Sequence, residues 1–400
     1  MKRNALLHQL ITHDDVFDFI VIGGGATGLG VALDAVTRGA SVALFEQDDF
    51  TKGTSSRSTK LVHGGVRYLA QGDLSLVLEA LRERGLLRKN APHLVKNQTF
   101  LIPCYRWWEG AFYTIGLILY DLMAANLGLG RSFCIGPKRA VKTIPMLRKK
   151  GMKAGVIYHD GQFDDSRLAV NIAQTAVEAG ACLLNYMKVT ELIKQDGKVC
   201  GVKVMDMESG LSHIVRSKTI INATGVFADD ILQMDEPGKK PTVQPSQGVH
   251  LVLDSSFLQS NCAIMIPKTA DGRVLFAVPW HDKIVVGTTD TVMKHAALEP
   301  VALEEEIDFI LSTAGQYLTR PPQRKDVLSV FAGLRPLAAP RSHDKKTKEI
   351  SRSHKLIVEK SGLITIIGGK WTTYRKMAQD TIDLAYTKMH VKVPECVTES

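Results

Sequence analysis

A chain of 400 residues, 45% hydrophobic and 23% charged, is long enough to bury a large core and to divide into two domains. Its 50 Lys+Arg outnumber its 41 Asp+Glu for a net charge of +9, which favours anionic partners; the basic residues are spread along the chain rather than gathered in one run, which argues against nucleic acid. The six cysteines (Cys104, Cys134, Cys182, Cys200, Cys262, Cys396) form no CxxC pair, so no metal site and no disulfide framework is expected, and a reduced, cytoplasmic compartment fits.

In chain order, the opening MKRNALLHQLITHDD has early basic residues, but its apolar run leads straight into glycines, as a buried strand does and a signal peptide does not. Phe17 to Ile22 reads as a buried parallel strand, Gly28 to Arg38 as a helix and Ser41 to Glu46 as a second strand, which together make a βαβ unit. The stretch from Gly110 to Gly130 is membrane-like in composition. Asp121 sits near its middle, where a spanning helix would lose roughly 2.5–3.5 kcal/mol, so a buried or interfacial helix is expected. Arg167 to Ala179 reads as another helix, followed by strands near 181–194, 199–207 and 219–222. From Gln244 to Val286 short apolar segments alternate with turns (HLVLD, CAIMIP, RVLFAVPW, KIVVGTTD), as in an antiparallel sheet. LIVE and LITIIGG then read as strands before a helix over about 372–389. No period of 20 to 50 residues recurs, and the α/β signals bracket the antiparallel ones, the order that two mutually interrupting domains produce.

The chemistry-bearing motif is GGGATG. Gly23, Gly25 and Gly28 form a GxGxxG between a strand and a helix, where the glycines permit a tight turn, backbone approach to a pyrophosphate and close helix–strand packing. The pyrophosphate would face the positive end of the helix dipole. Glu46 ends the second strand 23 residues after Gly23, where an acid binds ribose hydroxyls. INATG (Ala223, Thr224, Gly225) and IIGGK (Gly368, Gly369, Lys370) each end a strand with small residues. The helix after IIGGK can stabilise negative charge at the pyrimidine end of an isoalloxazine. Each of these two segments alone also suits a structural turn; with the first motif they favour FAD over NAD.

The segments DFIVIGGGATGLGVALDAVTRG, TSSRSTKLVHGGVRYL, YHDGQFDDSRL, NATGVFAD, VVGTTD, FAGLRPL and GGKWTTYRKMA run from Asp18 to Ala378, and with them the chain resembles the FAD-dependent, quinone-linked glycerol-3-phosphate dehydrogenases. The resemblance implies an α/β Rossmann-like FAD-binding domain over 16–100, 152–242 and 350–390. Interleaved with it is a mainly antiparallel, α+β substrate domain over 101–151 and 243–349. Ser55, Ser56 and the turn Thr59, Lys60, Leu61 are implied along the FAD pyrophosphate and flavin, and Val189 on the adenine side. Arg67, Arg335 and Lys370, with Tyr68 and Thr373 beside them, are implied to grip the substrate phosphate; guanidinium groups suit a dianion because they bond bidentately.

Oxidation of glycerol 3-phosphate moves a hydride from C2 to flavin N5 while the hydroxyl proton leaves, giving dihydroxyacetone phosphate. His63 is the first choice of base, because an imidazole titrates near neutral pH; His250 in SQGVHLV is the second, and alternatively orients the hydroxyl. Either histidine also suits plain hydrogen bonding to buried backbone. Electrons would pass to a quinone, which places the protein on the inner face of the cytoplasmic membrane without crossing it; a homodimer stays open. Family members continue into a C-terminal helical domain, and residues 391–400 read as the start of such a region. Two alternatives remain. One is a glycerol-3-phosphate oxidase, disfavoured because Arg335 and Lys370 are only 35 residues apart and leave no room for the oxidases' long insertion. The other is a flavin-binding protein without turnover. No histidine or cysteine lies in a flavinylation motif, so noncovalent FAD is expected.

Overall fold

The structure, a computed structural model, describes residues 1–13, 15–66, 72–269, 272–339 and 354–400. The expected phosphate ligands Arg67 and Tyr68 lie outside the described residues.

The strand Phe17–Ile22 is apolar at nearly every position because both its faces are covered, and it lies parallel between Ser212–Asn222 and Val42–Phe45. The sheet runs from His354–Val358 through Ile364–Gly368, Ser212–Asn222, Phe17–Ile22 and Val42–Phe45 to Cys182–Leu184, while Met187–Gln195 and Lys198–Asp206 extend it as a hairpin from Ser212–Asn222. Helix Ala26–Thr37 packs between Tyr374–Lys388 and Asp165–Glu178 over one face, burying Leu29, Val31, Ala32 and Ala35 completely. The parallel strands end together at Ile22, Phe45, Asn222 and Gly368, and the carboxyl edge of such a sheet is where α/β folds hold ligands.

A second sheet of ten described strands carries the mainly antiparallel part, with Val243–Asp254 paired along its length with Val327–Ala338. This sheet reaches further back in sequence than expected. Leu61–Val62, Val95–Cys104 and Ala154–Phe163 belong to it, whereas the sequence reading placed 16–100 and 152–242 in the FAD-binding unit and began the substrate domain at 101. Near-continuous burial makes AGVIYHDGQF read alike for either sheet, so periodicity cannot assign it. Strand Ala154–Phe163 leads directly into helix Asp165–Glu178, so the two sheets meet at one strand–helix junction.

Buried polar groups hold that junction. Asp160 (3% exposed) accepts from Arg84 Nη1 at 2.7 Å and from Tyr120 Oη at 3.0 Å, and the Tyr120 oxygen in turn accepts from the backbone N–H of Gly64 at 2.8 Å. Removing one partner of a buried ion pair leaves an uncompensated charge and costs about 3–5 kcal/mol. Asp160→Asn is therefore expected to lower the urea unfolding midpoint sharply. An unchanged midpoint would mean that Arg84 is balanced by some other group.

Candidate active site

A long cleft opens at the carboxyl edge of the parallel sheet. Its walls include Gly23, Gly25, Glu46, Ser55, Val189, Ala223 to Gly225 and Gly368 to Trp371, so it gathers the three glycine-bearing strand ends and the adenine-side valine. At Gly28 a Cβ would stand 1.9 Å from the Gly23 carbonyl oxygen, so only glycine lets the helix start this close to the strand. No side chain of Gly25, the residue before the helix, caps it; instead Ser55 Oγ accepts from Ala26 N at 2.9 Å. The helix N-terminus thus presents N–H groups and positive dipole to the cleft. Glu46 lies where a ribose acid is expected. Its carboxylate also accepts from Gly24 N at 2.7 Å and Asp48 N at 2.9 Å, while burial, the larger effect, raises its pKa above the ordinary value.

Pro336, Lys370 and Trp371 are among the residues that line the cleft. Arg335 precedes Pro336, and its Nη2 donates to Thr289 O at 3.1 Å and Thr288 Oγ1 at 3.2 Å, with Asp290 3.5 Å from Nη1. The guanidinium runs along its strand pair toward His250: a Cβ on Gly248 would meet Arg335 Nη2 at 2.5 Å. Residues 246, 248 and 250 share one face, opposite Arg335, Gly333 and Phe331. His250 is 3% exposed, stacks on Phe331 at 4.8 Å and has Thr59 Oγ1 at 2.8 Å from Nε2. Burial, then the charges of Arg335 and Lys60, hold its pKa down at about 3, so the ring is neutral across the physiological range. His63 is half-buried, and its backbone N–H donates to Thr372 Oγ1 at 3.2 Å.

Other expected residues take different posts. Thr373 is buried and donates to Lys370 O at 3.3 Å, while its neighbour Thr372 is the one that meets His63. Lys60 turns away from the cleft into an ion pair with Asp165 at 2.6 Å, and Ser56 supplies a carbonyl to the same ammonium at 2.7 Å. Leu61 is buried in its short strand, paired with Gln162. Sequence reasoning gave no role to Asp165, Thr372 or Trp371, whose Nε1 donates to Ser55 O at 2.8 Å. All three lie within the quoted motif segments, but only long-range contacts reveal what they touch.

A parallel sheet whose first strand leads into a glycine-rich helix start, with a cleft along its carboxyl edge, is the frame of a dinucleotide-binding protein. Residues 18–375 match the FAD dependent oxidoreductase family, and the chain belongs to that family. It is 45% identical over 405 residues to the human mitochondrial glycerol-3-phosphate dehydrogenase, covering 96% of this chain and 55% of that one. Against the mitochondrial glycerol-3-phosphate dehydrogenase of Arabidopsis thaliana it is 44% identical over 414 residues, covering 100% and 66%. The crystal structure of glycerol-3-phosphate dehydrogenase from Bacillus halodurans complexed with FAD superposes with a TM-score of 0.80 at 34% identity, over 100% of this chain and 69% of that one. The chain spans about half to two thirds of the length of these curated relatives. L-α-glycerophosphate oxidase from Mycoplasma pneumoniae, at a TM-score of 0.70 and 16% identity, shares the fold.

The cofactor is FAD, and the cleft fits it: the Gly28–Gly23 contact leaves room for a pyrophosphate at the helix start, and Gly368 and Gly369, which the sequence reading expects at the cofactor, line the same cleft. A Cβ at Gly25 would already stand 3.1 Å from Ser55 Oγ. Gly25→Val is expected to displace that serine, fill the pyrophosphate position and abolish FAD retention. A purified variant that is as yellow as wild type would refute this placement.

Proposed function

We propose that the chain oxidises sn-glycerol 3-phosphate to dihydroxyacetone phosphate, with FAD taking the hydride and a quinone at a membrane surface taking the electrons. The observation that carries this reading is that the Arg335 guanidinium, next to the cleft-lining Pro336, reaches along its strand pair toward His250. When bound, FAD supplies a two-electron acceptor at N5; the residues supply the rest. Arg335 and Lys370 hold the phosphate dianion, with Arg67 added by the resemblance. A neutral His250 takes the hydroxyl proton as the C2 hydrogen leaves with its electron pair and the C2–O bond becomes a carbonyl. The Arg335 guanidinium that reaches toward His250 is the ground for choosing it over His63, whose backbone N–H meets Thr372. A dianion beside Arg335 offsets one of the charges that depress His250, so the bound substrate raises the basicity of the group that deprotonates it.

Anaerobic addition of glycerol 3-phosphate should bleach the flavin of the holoenzyme, and quinone rather than oxygen should restore it. Arg335→Ala should keep FAD and lose about ten- to a hundredfold in kcat/KM, the effect of removing a charge-assisted contact worth roughly 1.5–3 kcal/mol. Unphosphorylated glycerol should be poor with wild type. Equal turnover of the two compounds would sink the phosphate assignment, and fast reoxidation by oxygen alone would favour an oxidase.

The membrane part of the reading rests on helix Glu109–Ala124. The sequence anticipated a buried or interfacial helix, and its outer face is apolar and exposed: Ile115 is 70% and Leu122 71% exposed, with Trp108, Phe112 and Leu119 on the same stripe and Trp107 at 86% just before it. Exposed Arg106 precedes the helix in sequence, and exposed Arg131, Lys138 and Arg139 follow it. Aromatic and aliphatic tips with basic residues before and after them in sequence suit insertion into the surface of an anionic bilayer. Wild type should cosediment with anionic phospholipid vesicles, and the pair Ile115→Asp, Leu119→Asp should remain in the supernatant. Equal partitioning of the two proteins would remove this face from consideration.

A further inference from the structure

Asp165 opens helix Asp165–Glu178 and is 1% exposed. One of its oxygens accepts from Ser58 Oγ at 2.7 Å, and Lys60 Nζ reaches both oxygens, at 2.6 and 2.8 Å. Lys60 Nζ also donates to Ser56 O at 2.7 Å, and Lys60 N to Ser58 Oγ at 3.0 Å. The turn from Ser56 to Lys60 is thus wrapped on one buried carboxylate, tightly enough to hold Lys60 at φ +61°. Thr59 is the residue in this turn that faces the other way, toward Nε2 of His250 at 2.8 Å. The second ring nitrogen, Nδ1, is buried and has no hydrogen-bond partner among the described residues.

We infer that Thr59 is a positioning residue for His250: its hydroxyl commits Nε2, Asp165 fixes Thr59 through Ser58 and Lys60, and Nδ1 is left as the bare nitrogen of the ring. This rests on the reading of His250 as the base. A neutral imidazole has one bare nitrogen, and which one it is depends on the partner of the other. A threonine hydroxyl donates or accepts, so the proton-accepting role requires Nε2–H to donate to Thr59 Oγ1 and Nδ1 to carry the lone pair. Without Thr59 the ring would lose the contact that selects the tautomer, while Phe331 would still hold its plane. The charged groups facing the ring are Lys60 and Arg335, with Asp165 behind the first and Asp290 beside the second. Both cations keep the imidazole neutral, so Thr59 acts on tautomer and aim rather than on charge.

The test is a comparison of wild type, Thr59→Val and Thr59→Ser as holoenzymes labelled with ¹⁵N-histidine, with His250 signals assigned by their loss in His250→Gln. In wild type and Thr59→Ser, His250 is expected to show one protonated and one bare nitrogen, Nδ1 bare, unchanged through neutral pH. In Thr59→Val the two nitrogens should average between tautomers. The rate of flavin reduction by glycerol 3-phosphate should fall about ten- to a hundredfold in Thr59→Val, the range for a misaligned reacting group, with KM within about twofold; Thr59→Ser should restore it. A single unchanged tautomer in Thr59→Val, an Nε2 that is bare in wild type, or a Thr59→Val protein that cannot hold FAD would overturn the inference, the last by making Thr59 a scaffold residue. Wild-type flavin that glycerol 3-phosphate does not reduce would instead overturn the proposed substrate. The tautomer spectra, which need no substrate, would still decide whether Thr59 sets the ring.

Discussion

The start of helix Ala26–Thr37 touches the end of strand Phe17–Ile22 so closely that Gly28 has no room for a Cβ against the Gly23 carbonyl. From that contact follow the position of the helix N-terminus, its aim along the carboxyl edge of the sheet and the cleft it helps to line. Ser55 reaches Ala26 N only because the helix begins there, and Trp371 then hydrogen-bonds the Ser55 carbonyl, tying the last strand–helix turn to the first. Glu46 fastens the same loop from the second strand. A side chain at position 28 would therefore disturb a chain of contacts that runs from residue 24 to residue 371.

The reaction end is built by a different device. The segment from Ser56 to Gly64 crosses between the two sheets and carries both Thr59 and His63. Two buried carboxylates pin it, and both come from one short stretch of chain: Asp165 grips Ser58 and Lys60, and Asp160 holds Tyr120, which holds Gly64 N. Strand Ala154–Phe163 and the first turn of the next helix thus act as a single rail. Because that strand belongs to the second sheet while its helix covers the first, the rail fixes the segment that carries Thr59 and His63 relative to both.

Much of the nucleotide half was legible in the sequence because its signals are local. FDFIVI followed by GGGATG specifies a strand, a turn and a helix within about twenty residues. The strand Phe17–Ile22 came out as expected, and the helices near 167 and 372 began within two residues of the reading. Strand Ala154–Phe163 was misassigned because burial on both faces erases the alternation that marks an antiparallel strand. Arg335 and His250 stood out by motif, but their side-by-side placement depends on the pairing of Val243–Asp254 with Val327–Ala338, set by contacts some eighty residues apart. Lys60 reads as a cation available to a phosphate, and no feature of TSSRSTKL indicates that Asp165, over a hundred residues later, takes its charge.

The capture of Lys60 by Asp165 bears on how the proposed site treats charge. His250 lies near two cations and is buried, and either circumstance alone favours its neutral form. Lys60 is paired with a buried carboxylate at 2.6 Å and is a fixture of the turn that holds Thr59. Arg335 bonds Thr288 and Thr289 and points along its strand pair toward His250. An anion arriving there meets that guanidinium and an imidazole whose proton affinity the guanidinium lowers. Binding the anion then does two things through one contact, holding the substrate and restoring basicity to the imidazole. A neutral polyol of the same shape would gain neither, so on the proposed function the phosphate is discriminated at the chemical step as well as in binding.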